Sequence, residues 1–134
     1  MIDTNVLIAG LRRRGSAGAV VDAWVERRFR PCVSTALALE YEEVMLRKLG
    51  TRRRKAAPKA LQALLARSEY VPVRFTYRPA SPDPGDDLVV DCVVNSGAVL
   101  VTDNLKDFRR PSRELGFRML SPAGFLALLE GKSS

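Results

Sequence analysis

Along the chain, apolar positions come in two spacings that alternate. Short runs with little polar interruption, Pro31-Cys32-Val33 and Val99-Leu100-Val101, read as buried strands, and longer segments with apolar residues three and four apart read as helices. Ile2 opens a first strand that turns at Asp3-Thr4-Asn5 into a helix, all three polar residues being good N-caps. After a loop from Gly15 to Gly18, Ala19 to Arg28 is predicted helical, with Val20, Val21, Trp24 and Val25 inward. Ser34 or Thr35 caps a helix through Arg47, its apolar positions being Leu37, Leu39, Tyr41, Val44 and Met45, and Gly50 is expected to end it as the C′ residue. A further helix is predicted over Ala56 to Arg67, with Leu61, Leu64 and Leu65 on its apolar face.

The second half continues the alternation. Val71 to Tyr77 alternates weakly and reads as strand-like or extended, and the proline-rich Pro79 to Gly85 as a loop. A helix apolar almost all round follows from Asp86 to about Asn95, stopped by Gly97. Val99 to Thr102 is apolar on both faces, as in a parallel sheet covered by helices. Asp103 to Phe108 reads as a loop, Phe117 to Leu120 as a last strand, and Pro122 as the start of a final helix through Leu129. Strands alternating with helices predict an α/β fold with a central parallel sheet flanked by helices. With 134 residues there is room for one core, so 1–130 is expected to be a single domain and 131–134 a frayed tail.

Composition changes that picture in three ways. A 46% hydrophobic chain can bury its core without disulfides or structural metal, and 7% aromatic content makes that core largely aliphatic. No run of about 18 apolar residues marks a membrane span and no leader pattern opens the chain, so the expected location is the cytoplasm, where Cys32 and Cys92 would stay as thiols. There is no histidine, which removes imidazole as base or ligand and with it most zinc chemistry and every Ser-His or Cys-His triad.

The net charge of +7 favours a polyanionic partner, and the basic residues are clustered. Arg12, Arg13 and Arg14 form one run, Arg27, Arg28 and Arg30 a second, and Arg47, Lys48, Arg52, Arg53, Arg54 and Lys55 a third. The candidates for holding a nucleic-acid strand are Arg12, Arg13, Arg14, Arg52, Arg53 and Arg54. Against this average, Asp83, Asp86, Asp87, Asp91, Asp103 and Asp107 gather in one region.

Placed on the predicted elements, these acids form a constellation. Asp3 lies at the end of the first strand, and Asp103 and Asp107 follow the end of the Val99 to Thr102 strand; ligands in open α/β sheets bind at such carboxyl ends. Asp83, Asp87 and Asp91 are spaced by four, one helical face, although Asp86 and Asp87 are also natural first-turn residues favoured by the helix dipole. Asp91 sits among Val89, Val90, Cys92 and Val93, where a lone charge costs several kcal/mol and a cation is the economical partner. Glu40 lies close to the buried stripe of its helix, whereas Glu42 and Glu43 stand at helical spacing from Arg47 and read as ion-pair formers. Several oxygen ligands without imidazole describe a hard-cation site for Mg²⁺ or Mn²⁺. A basic surface that holds a strand beside an acidic pit that binds metal is the composition of a nuclease.

Four segments in order, Asp3-Thr4-Asn5, Ser34 with Glu40 six residues on, Pro84-Gly85-Asp86-Asp87-Leu88-Val89-Val90-Asp91, and Val101-Thr102-Asp103-Asn104-Leu105-Lys106-Asp107-Phe108, resemble a PIN domain. The similarity runs to the end of the chain and is nearest to the VapC-like toxins of bacterial toxin–antitoxin systems. What the resemblance implies is a three-layer PIN-like fold and a metal-dependent endoribonuclease, usually a homodimer and often held inactive by an antitoxin. The acidic quartet maps to Asp3, Glu40, Asp91 and Asp107, with Thr4, Asn5, Asp87, Thr102, Asp103 and Asn104 as auxiliary residues. Some members carry the fourth acid nearer the threonine, which leaves Asp103 beside Asp107 as a candidate. Only Met1 and Ile2 precede the first aspartate where the family has several apolar residues, so the first strand is expected to be short. Two other readings use the same residues: a basic RNA-binding module that does not cut, and a structure-selective DNA nuclease.

Overall fold

A computed structural model describes residues 1–74, 76 and 84–133. The elements in chain order are α1 (Thr4–Leu11), α2 (Gly15–Val25), β1 (Cys32–Val33), α3 (Thr35–Lys48), α4 (Thr51–Ala66), β2 (Glu69–Tyr70), α5 (Pro84–Ser96), β3 (Leu100–Val101), α6 (Leu105–Leu115), β4 (Met119–Leu120) and α7 (Pro122–Ser133). The fold is α/β, and the strands are short and parallel. No helix among the described residues is long and apolar enough to cross a membrane.

The single central sheet expected from the pattern is two ladders among the described residues. In one, β1 pairs with β2, Cys32 opposite Glu69 and Val33 opposite Tyr70. In the other, β3 pairs with β4, Leu100 opposite Met119 and Val101 opposite Leu120, and a bridge joins Ile2 to Val101. Val101 receives Asp3 N–H and donates to Met1, whereas Leu100 and Thr102 donate to Arg118 and Leu120 on the other side. The first segment and β4 thus flank β3, and all three run in parallel. The carboxyl ends of the first segment and β3 therefore lie side by side, which sets Asp3 next to Thr102.

Leu37, Trp24, Tyr41 and Phe108 are fully buried and anchor a core otherwise built of aliphatic residues. Trp24 of α2 donates Nε1–H to the Leu64 carbonyl of α4 at 2.9 Å, and Tyr41 of α3 donates its hydroxyl to the Ile2 carbonyl. That second bond ties α3 to the residue immediately before Asp3.

Several boundaries differ from the expectation for local reasons. Ser34 does cap α3, accepting from Leu37 N at 3.1 Å. Gly50 is not a left-handed C′ residue; it has φ −68° and N-caps α4, while Leu49 turns the chain. Four basic residues, poor company for a helix N-terminus, follow Thr51, so α4 begins a turn and a half before Ala56. The strand expected over Val71 to Tyr77 is displaced to Glu69–Tyr70: residues 71–74 and 76 form none, and 75 and 77 lie outside the described residues. Helix α5 starts at Pro84 and Gly97 does stop it, with φ +71°. The segment read as a loop from Asp103 to Phe108 is largely helix: α6 begins at Leu105, buries Phe108 and Pro111, and ends at left-handed Gly116. The final helix continues past Leu129 to Ser133.

Helices α1 and α2 approach most closely at Gly10. A Cβ there would stand 2.4 Å from Val21 Cγ2 and 2.7 Å from the Ala17 carbonyl oxygen, and a backbone atom cannot step aside. Gly10→Ala is therefore expected to cost about 1–3 kcal/mol by overpacking, despite alanine's better helix propensity. Urea denaturation of the variant checks this; unchanged stability would refute the close approach.

Candidate active site

Asp3 is the N-cap of α1 and is only 3% exposed. Its Oδ2 accepts the Thr102 hydroxyl at 2.8 Å, and its own N–H donates to Val101 O at 3.0 Å. Burial raises its pKa above 3.8; the Thr102 hydroxyl and the amides of Thr4 and Asn5 pull the other way, and the nearby charge of Asp103 adds to the rise. The backbone N–H groups of Thr4 and Asn5, at the start of α1, favour the charged carboxylate by hydrogen bonding to it. One residue on, Thr4 Oγ1 is buried with no hydrogen-bond partner.

Thr102 links this carboxylate to the segment after β3. Its Oγ1 also accepts Asn104 N–H at 2.9 Å, and Asn104 Nδ2 donates to Asp107 Oδ2 at 2.6 Å. Asp3, Thr102, Asn104 and Asp107 therefore lie along one line of hydrogen bonds. Asp107 itself is exposed, in the first turn of α6, and it is Asp103 whose charge is felt at Asp3. A cleft of about 330 Å³ opens beside Asp103, lined also by Arg14, Ser16 and Ser121.

The remaining acids come from other helices. Glu40 lies on α3, half-buried, one residue before the Tyr41 that anchors α3 to Ile2. Asp91 is 6% exposed on α5, which packs against α3 and β1. Its neighbour Cys92 has its thiol pushed up to about 11, chiefly by burial, with Asp91 among the charges that act on it. Asp87 is half-buried in the first turn of α5, and Asp83, the first member of the predicted one-face series, lies outside the described residues. Among the described residues, no three Asp, Glu or Cys side chains converge as a metal-holding group. The donors on the rim are nonetheless all oxygens, the chemistry of a hard divalent cation. Of the candidate acids, Asp103 is the one whose charge acts on Asp3.

The basic runs divide by what they touch. Arg13, left-handed at φ 59°, is held on Asp22 by two bonds of 2.8 and 2.7 Å. Arg47 pairs with Glu43 at 3.4 Å, the i,i+4 pair its spacing announced. Arg12 donates to the Lys48 carbonyl and Arg54 to the Leu49 carbonyl, while Lys48 Nζ reaches Asn5 Oδ1 at 3.4 Å. Arg14, Arg52 and Arg53 are exposed. Lys48 and Tyr41 are the residues whose link to the Asp3 segment the sequence did not announce, since each partner lies about forty positions away.

Comparison with known families finds one correspondence: a profile described as PIN domain matches residues 1–106. That span holds Asp3, Glu40, Asp91 and Asp103 and stops one residue before Asp107. No curated protein and no solved structure matches the chain.

Proposed function

The chain belongs to the PIN domain family, whose members are generally nucleases, and from that membership we propose that it is a metal-dependent endoribonuclease centred on Asp3. The observation that carries the reading is a carboxylate held almost out of solvent, with raised proton affinity, at the shared end of two parallel strands. Such a group is a better base toward water than a solvated aspartate. The orphan hydroxyl of Thr4 beside it supports a site that takes a polar guest.

In this reading Asp3 accepts a proton from the attacking water, whose oxygen bonds to phosphorus as a P–O ester bond breaks and the departing ribose oxygen takes a proton from solvent. Thr102 fixes the orientation of Asp3, and Asn104 fixes both Thr102 and Asp107. Asp103 and Asp3 would be the first holders of Mg²⁺ or Mn²⁺, with Asp91, Glu40 and Asp107 as the further acids of the proposal. The cation would supply neutralisation of phosphate charge and a more acidic bound water. RNA as the polymer, rather than DNA, rests on the family resemblance together with the basic surface.

Cleavage of a labelled single-stranded RNA in Mg²⁺ or Mn²⁺, lost in EDTA, is the expected result. Asp103→Asn should lower the rate about 100-fold or more and Asp107→Asn about tenfold, because only the former acts directly on Asp3. Wild-type protein that cuts no RNA with either metal would overturn the proposal, and cutting of DNA alone would replace its substrate. The resemblance extends the reading to a cytoplasmic homodimeric toxin held by an antitoxin. Growth arrest on induction of wild type but not of Asp3→Asn supports that extension, and equal growth refutes it.

A further inference from the structure

Positive charge is not evenly used in this molecule. Arg13, Arg47 and Arg110 each meet a carboxylate, at 2.7, 3.4 and 2.9 Å. Arg12, Lys48 and Arg54 do not. Arg12 and Arg54 donate to consecutive peptide carbonyls, those of Lys48 and Leu49, and Lys48 extends to the side-chain oxygen of Asn5. Three cations from α1's C-cap, the end of α3 and the start of α4 are thus strung along the junction of these helices, on Lys48, Leu49 and Asn5, with neutral oxygens as their only partners among the described residues.

Capping explains part of this arrangement. Basic side chains do bond the last carbonyls of helices, and the dipole at the end of α3 favours them there. Capping does not explain Lys48, whose ammonium bonds no carbonyl and stands on Asn5, two residues from Asp3. Arg54 does cap, through the Leu49 carbonyl at the end of α3, but it belongs to the first turn of α4, where cations oppose the dipole and no acid offsets them. Like charges gathered without a counterion repel one another, and a phosphate oxygen reached by ammonium and guanidinium groups relieves that repulsion with charge-assisted bonds.

We infer that Arg12, Lys48 and Arg54 form a seat for one backbone phosphate of a single-stranded RNA, next to Asn5, which holds the strand so that a neighbouring phosphodiester lies at Asp3. The inference rests on the ribonuclease reading for its polymer, and it separates two kinds of arginine in the same sequence run: Arg12 at the seat, Arg13 spent on Asp22. Exposed α4 residues Arg52 and Arg53 extend the positive surface beyond it.

The test is binding rather than cleavage, so that it does not fall with the catalytic reading. A fluorescent single-stranded oligoribonucleotide is titrated with the full chain in EDTA, by anisotropy, at several salt concentrations. Lys48→Gln should weaken binding about 5–10-fold and reduce the slope of log K against log salt by about 0.7, one phosphate contact on a single strand. Arg12→Gln and Arg54→Gln should do the same while also lowering the thermal midpoint through their carbonyls. Arg13→Gln should leave the slope unchanged. Lys48→Gln needs no capping bond, so it keeps the inference testable should the arginine variants fold poorly. An unchanged affinity and slope for Lys48→Gln would overturn the seat, as would an equal loss of slope for Arg13→Gln.

Discussion

Replacing Asp3 by Asn is expected to abolish hydrolysis while making the folded chain more stable at neutral pH. Asparagine keeps an oxygen for the Thr102 hydroxyl and nearly the same volume, so the hydrogen bond at 2.8 Å can survive. It lacks a proton-accepting carboxylate, and loss of a positioned base and ligand lowers rates about 10²–10⁴-fold. The stability change follows from linkage. Burial, the largest influence on Asp3, raises its folded pKa above 3.8, so the folded state holds this proton more tightly than the unfolded chain. The stabilisation associated with that proton is fully present below about pH 3.8 and is lost as pH rises through the folded value. Above that value the wild type carries a buried charge that the variant does not. In EDTA, calorimetry from pH 4 upward should therefore show Asp3→Asn gaining on wild type as pH rises, then levelling off at a higher midpoint. A variant that is inactive but less stable at neutral pH would make Asp3 a structural cap instead.

The largest loss of stability is expected at Trp24. Its ring is wholly buried on α2, stands 6.4 Å from Phe29 between centroids, and Phe29 in turn meets Phe125 of α7 edge-on at 4.7 Å. One side chain thus joins α2, α4 and, through Phe29, α7. Trp24→Ala should cost about 3–5 kcal/mol, a large share of the 5–15 kcal/mol typical of a domain, and lower the midpoint by roughly 10–20 °C. Trp24→Phe should cost much less. The Leu64 carbonyl it deserts still accepts Ser68 Oγ–H at 2.8 Å and Arg67 N–H at 3.0 Å, so it is not left unsatisfied. Guanidinium denaturation distinguishes the two, and a loss below about 1.5 kcal/mol for Trp24→Ala would show that this part of the core repacks freely.

Legibility followed the range of the interaction. Ser34 as a cap, Gly97 as a stop and Asp3 at a strand-to-helix turn are local features, decided within four residues by hydrogen-bond geometry and backbone freedom, and each could be read in place. The burial of Asp91 was legible because Val89, Val90, Cys92 and Val93 flank it in sequence. Helix α6 was not, because its internal Pro111 argues against helix. Gly50 misled because a glycine after a helix and a glycine before the next one look alike in sequence; backbone angles decided between them.

By itself the sequence determined the α/β order of elements, an oxygen-only chemistry without histidine, and the motifs that mark a PIN domain. The tertiary structure alone decided which side chains share a place. Thr102 reaches Asp3 across 99 positions, Lys48 reaches Asn5 across 43, and Asp103 rather than Asp107 adds its charge at the buried carboxylate. Periodicity reports which face of an element is buried, and such pairings are instead set by the parallel register of β3 with the first segment and by the docking of α3 against α1.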